Sequence, residues 1–192
     1  MNSKASVRNS IAVLVIVLLS IAGGFIFDRV AKEVKRDRYP RDFETEVRSS
    51  AEANGLPENT AFACIKLRSD FSPALLTEGD SGDMIGLFQL TESDYIRYYG
   101  GEPGSSGLLY EPATNIETGC RLVSALFEKY AGWDEVWAAM YAGESTVDAW
   151  LSSGLYSDAS GRLKTVPDSD TADYVKRMNE TLEKYEELYP SK

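Results

Sequence analysis

The chain has 192 residues, a formal net charge of −10, two cysteines and no histidine. Without histidine there can be no Ser-His or Cys-His nucleophile pair and few zinc sites, so proton transfer must fall to carboxylates, Lys, Tyr or Cys. Charge is split: residues 1–41 hold eight basic and three acidic residues for a net of +5, and residues 42–192 carry −15. A domain that acidic repels phosphates, which excludes nucleic acid as a partner, and no metal or cofactor is expected.

Residues 1–10 form a short basic N-terminus. Residues 11–27, I-A-V-L-V-I-V-L-L-S-I-A-G-G-F-I-F, are uncharged and near the lower length limit of a membrane-spanning helix. A transmembrane anchor is the expectation. The other reading is a cleaved signal segment, since Ser20-Ile21-Ala22 weakly resembles a processing site. Residues 28–41 are a basic juxtamembrane linker, with Arg29, Lys32, Lys35, Arg36, Arg38 and Arg41, suited to an anionic lipid surface. That bias favours a cytoplasmic domain by the positive-inside rule.

The domain covers 42–190. Residues 43–54 read as an amphipathic helix stopped by Gly55. Pro57 opens a second helix with Ala61, Cys64, Ile65 and Arg68 roughly along one face. Residues 76–83 are a loop, 84–90 an apolar turn, 91–99 a short helix, and 100–107 a glycine-rich surface loop. Thr114-Asn115-Ile116-Glu117 matches a capping box and predicts a helix from there to about Tyr130. Further helices are expected over 134–141, 146–151 and 170–189, with a break at Gly143 and an irregular stretch over 152–168. Strand patterns are nearly absent, so the fold class is all-α. Cys64 and Cys120 lie in apolar helical runs and read as buried small hydrophobes; outside the membrane a disulfide between them is allowed.

Five segments in order carry a resemblance. They are Arg68-Ser69-Asp70-Phe71-Ser72-Pro73, Gly86-Leu87-Phe88-Gln89-Leu90, Asn115-Ile116-Glu117-Thr118-Gly119, Ala139-Met140-Tyr141-Ala142-Gly143 with Val147 and Trp150-Leu151 behind it, and Asp173-Tyr174-Val175. Together they resemble the lytic transglycosylases of the soluble-lytic, goose-lysozyme-like superfamily. The resemblance implies a lysozyme-like all-α domain behind the membrane helix, outside the cytoplasmic membrane, acting on the glycan strand of peptidoglycan. It implies one glutamic acid that protonates the glycosidic oxygen and then serves as base while the sugar's 6-hydroxyl closes a 1,6-anhydro ring.

The position of that glutamic acid is occupied by Arg68, which stays charged at all relevant pH and can serve neither transfer. The family's Tyr-Asn pair is Met140-Tyr141, its second-motif Met is Phe88, and the loop between the first two motifs is about three residues longer. The expectation is therefore a membrane-anchored protein that binds glycan or an envelope partner, with cleavage lost or strongly reduced. One alternative is an active enzyme with a displaced acid at Asp70, Glu78, Asp80, Asp83 or Glu144. Another is a non-catalytic envelope scaffold. Ser69, Gln89, Tyr141 and Tyr174 are the expected glycan contacts.

Overall fold

The computed structural model describes residues 3–79 and 82–190, and the side chains of 3–18 and 28 lie outside that description. It divides into two units, residues 1–40 and 41–192. The first is one helix, α1 (Ser3–Arg38), with Lys35, Arg36 and Arg38 in its last turn, where cations complement the carbonyl end of the helix dipole. Its described apolar side chains Leu19, Ile21, Phe25, Ile26 and Phe27 are exposed. The expected span 11–27 falls partly outside the described side chains, and among the described residues no helix is long and apolar enough to cross a membrane.

The second unit is built on helices, as the apolar periodicities require. α2 (Glu44–Ala53) buries Val47 and Ala51 and places Glu44 and Glu46 in its first turn, favourable at the positive end of a helix. α3 (Glu58–Ser69) is buried without a break from Asn59 to Ile65. A helix buried on every side belongs at the centre, and α3 packs between α2 and the last helix, α8 (Ser169–Leu188). α3 ends where Asp70 and Phe71 take left-handed backbone conformations, φ 49° and 63°. Two such non-glycine residues in succession cost roughly 1–2 kcal/mol each and turn the chain sharply out of the core at the first motif.

The all-α expectation needs one correction. Leu76–Thr77 (β1) and Met84–Ile85 (β2) pair as a short antiparallel hairpin, with Leu76 opposite Ile85 and Thr77 opposite Met84. Two-residue strands are too short to show a period-two pattern. The expected helix over 91–99 is also different: α4 (Glu92–Asp94) makes one capped turn and then widens into a π turn, Tyr95–Tyr99. The capping box is here, with the Asp94 amide donating to Thr91 Oγ1 at 3.2 Å and the Thr91 amide to Asp94 Oδ2 at 2.9 Å.

The capping box expected at Thr114 is absent. α5 (Pro112–Tyr130) starts two residues earlier, with Pro112 in its first turn, because proline's fixed φ suits that position and its missing N–H costs nothing there. Thr114 and Asn115 are thus inside the helix. On α5, Gly119 lies under the Phe88 ring; a Cβ there would sit 2.2 Å from the ring. Cys64 and Cys120 are separate buried thiols, and burial pushes the Cys120 thiol up to about 12.

α6 (Trp133–Ala142) and α7 (Glu144–Ser152) follow, separated by Gly143 at φ 86°. Trp137 is fully buried and its indole N–H donates to Asn179 Oδ1 at 2.9 Å. Glu135, 1% exposed, takes both ends of the Arg162 guanidinium, at 2.8 and 2.7 Å, and the Leu163 amide at 2.7 Å. Burial alone would raise the Glu135 pKa, but these donors outweigh it and hold it below the ordinary 4.5. A depressed carboxylate stabilises the fold above its ordinary pKa and loses that contribution as pH falls through the folded value. Glu135→Gln should therefore cost about 2 kcal/mol at pH 7. Thermal melts should show the gap to wild type closing as pH is taken below 4.5.

Candidate functional site

Elements from across the second unit meet around a cleft of about 650 Å³, with Met84 of β2 and Leu122 and Leu126 of α5 in its lining. The end of α3 supplies Arg68, the segment after β2 supplies Gln89 and Leu90, α4 and the π turn supply Asp94, Arg97 and Tyr98, and the α6–α7 junction supplies Met140 to Glu144. The volume is of the size that holds a small ligand.

Arg68 lies on the cleft floor as a fork joining three elements. Its Nε donates to Phe88 O at 2.5 Å and Nη2 to Gln89 O at 2.8 Å. Nη1 donates to Met140 O at 3.2 Å and to the Tyr174 hydroxyl at 3.2 Å. Only a planar guanidinium presents donors in that spread. Burial works to lower the Arg68 pKa, yet Tyr174, Cys64 and Asp94 outweigh it and hold the group above its ordinary value. Burial likewise raises the Tyr174 phenol, against the pull of Arg68. At neutral pH the pair is a charged arginine and a neutral phenol.

The carbonyls that receive Arg68 are set in place by Asn115. Its Oδ1 accepts the Phe88 amide at 2.8 Å, and Nδ2 donates to Ile85 O at 2.9 Å and Leu109 O at 2.8 Å. Gly86, at φ 75°, comes so close that a Cβ would lie 2.4 Å from Asn115 Nδ2 and 2.6 Å from Leu109 O. The second and third motifs are therefore one interlocked unit.

Tyr141 is 51% exposed, lines the cleft and stacks on Tyr174 with ring centroids 4.9 Å apart. Its free face offers an apolar platform of the kind sugar rings stack on. Tyr174 is 8% exposed and supports Tyr141 and Arg68 from below. Gln89 lines the cleft, but its amide is turned to the hairpin: Oε1 accepts Thr77 Oγ1 at 2.6 Å, and Nε2 donates to Gly86 O at 2.8 Å and Leu75 O at 3.1 Å. Its left-handed backbone, φ 49°, aims it that way. Ser69 is buried and bonds back to Ile65 O at 3.1 Å.

Among the acidic candidates, Asp70 is exposed and paired with Lys66. Glu78 and Asp83 are exposed on the hairpin loop, and Asp80 lies outside the described residues. Glu144 does line the cleft. Its carboxylate accepts from Arg97 at 2.6 Å, Lys129 at 2.9 Å and the Tyr98 hydroxyl at 3.1 Å. Burial would raise its pKa, but these three donors hold it below the ordinary value, so near neutral pH it has no proton to give. Sequence reasoning passed over Asp94, Arg97 and Tyr98; the Thr91-x-x-Asp94 cap just before an aromatic run was the signal available.

Residues 46–159 match the transglycosylase SLT domain family. Among solved structures, the chain is similar to the 70 kDa soluble lytic transglycosylase of Escherichia coli, with TM-score 0.70, 22% identity and coverage of 82% of this chain and 26% of that one. A complex of the 70-kDa soluble lytic transglycosylase with bulgecin A gives the same figures, TM-score 0.70 at 22% identity. An inactive Glu→Gln mutant of lytic transglycosylase Slt from Pseudomonas aeruginosa matches at TM-score 0.66 and 23% identity, over 82% of this chain and 26% of that one. The chain thus spans about a quarter of the length of these proteins, and at this identity the likeness is one of fold.

Proposed function

The chain belongs to the transglycosylase SLT domain family, and on that premise we propose that its domain holds peptidoglycan glycan in the cleft while having lost, or nearly lost, the ability to cut it. The observation that carries this reading is Arg68. Aligned motif by motif, it stands where the family places its glutamic acid. The Pseudomonas relative is described as inactive when one glutamate becomes glutamine; arginine at the acid position departs further, since it can neither donate nor accept a proton near neutral pH.

Loss of general acid catalysis alone removes about two to four orders of magnitude in rate, and a group that acts twice in one cycle removes more. Of the displaced acids expected from sequence, Glu144 lines the cleft, and its donors hold it deprotonated, which argues against it as the acid. Glycan binding needs less. The cleft, the exposed Tyr141 face and the polar rim of Asp94, Arg97 and Tyr98 remain suited to a sugar chain.

The uncharged run 11–27 motivates the second half of the proposal: an anchor in the cell membrane with the domain on the outer side, where peptidoglycan lies. The basic flank of 28–41 opposes that orientation, and substrate location is the stronger argument. Purified sacculi test the function. The protein should sediment with them and release no 1,6-anhydro-muropeptides detectable by mass spectrometry; failure to sediment would remove the binding half.

A further inference from the structure

Arg68 leaves one feature unexplained by its role as a fork. A guanidinium has five N–H donors, and four of Arg68's are spent on Phe88 O, Gln89 O, Met140 O and Tyr174 Oη. The fifth, on Nη2, has no acceptor among the described residues, and Arg68 lines the cleft. No carboxylate stands within ion-pair distance of it among the described residues, although other cleft cations such as Arg97 are paired. Taking a cation out of water without a counter-charge is costly, and carbonyl dipoles offset that cost only in part.

The other charges of the cleft make no ion pair with it among the described residues. Glu144 is matched by Arg97 and Lys129. Asp94 acts on Arg68 only through space, with one oxygen bound by the Thr91 amide and hydroxyl, at 2.9 and 2.7 Å. What remains on the floor is a guanidinium with one donor that no acceptor among the described residues takes, beside the exposed Tyr141 ring.

We propose that Arg68 has become an anion subsite, taking the carboxylate of an acidic amino sugar such as N-acetylmuramic acid while the sugar ring lies on Tyr141. This rests on the glycan-binding reading above and makes it specific: the cleft prefers glycan whose lactyl carboxylate is free of peptide. A charge-assisted hydrogen bond in a partly dry site is stronger than its counterpart in water. The domain's net charge of −15 opposes anion approach only weakly, because beyond about 8 Å surface charges are screened at physiological ionic strength.

The test is an NMR-detected titration of the full-length chain in detergent micelles. The ligands are N-acetylmuramic acid, its methyl ester, N-acetylglucosamine and D-lactate, with sacculus sedimentation run in parallel. The acid should bind about tenfold or more tightly than the ester and N-acetylglucosamine, D-lactate should bind far more weakly than the acid, and Arg68→Met should erase the preference. The comparison of acid with ester uses the unaltered protein, so it decides even if Arg68→Met does not fold. Equal affinity for acid and ester, or no binding of the acid, overturns the subsite; sacculi that still sediment would leave the glycan reading standing. D-lactate binding as well as the acid overturns the sugar assignment, and failure of both ligands and sacculi removes the glycan reading too.

Discussion

Arg68→Ala is expected to destabilise the domain by about 4–5 kcal/mol, at the top of the range for single substitutions. The side chain is the shared donor for Phe88 O, Gln89 O, Met140 O and the Tyr174 hydroxyl. Each bond from a charged donor contributes on the order of 1.5–3 kcal/mol, and the sum is discounted because the cleft admits water to some of the orphaned carbonyls. Arg68→Lys should recover less than half of the loss, since an ammonium cannot span acceptors on three elements. Urea unfolding measures it: the midpoint should fall with the slope nearly unchanged. A variant within 1 kcal/mol of wild type would mean that Arg68 only fills space.

Asn115→Ala should cost about 3–4 kcal/mol, somewhat less than Arg68→Ala. Asn115 is fully buried, and its loss strands the Phe88 amide and the Ile85 and Leu109 carbonyls at once. Water cannot rescue these groups as it can those of the cleft floor, and each unsatisfied buried partner costs about 1–3 kcal/mol. Asn115→Asp separates the roles: it keeps the acceptor for Phe88 but turns a carboxylate on two carbonyls, so it should be no more stable than Asn115→Ala. Thermal melts of both variants check this. The two sites also touch the same segment, so the double mutant Arg68→Ala, Asn115→Ala should be non-additive.

The helices were legible in the sequence where one face is apolar over many turns, as in α5 and α8. Gly119 was legible as a motif position, though its reason, the Phe88 ring seated on it, is a three-dimensional fact. What escaped was decided elsewhere. Thr114 to Glu117 has the letters of a capping box, but Pro112 had already started the helix. Asn115, matched as part of a motif, proved to be a clamp on two distant backbone segments. The hairpin was hidden by the shortness of its strands, and the inward turn of Gln89 by a left-handed backbone angle. At Met140 the site uses the carbonyl alone, a group every residue has, so nothing in the side chain could have announced it.

The fork that Arg68 makes could not be read from the sequence. On the proposed reading the same arginine stands in for the acid and ties α3 to the segment after β2, α6 and α8, so a glutamate placed there would face three carbonyls and the Tyr174 hydroxyl. Surrounded by carbonyls, its protonated form is favoured, which is the form a general acid needs. The direct measurement is release of 1,6-anhydro-muropeptides from purified sacculi, followed by mass spectrometry for the wild-type chain beside Arg68→Glu. The wild type is expected at the level of buffer alone, with any product confined to the glutamate variant. Sustained release by the wild type, undiminished or lost in the variant, would contradict the assignment of Arg68 to the acid position.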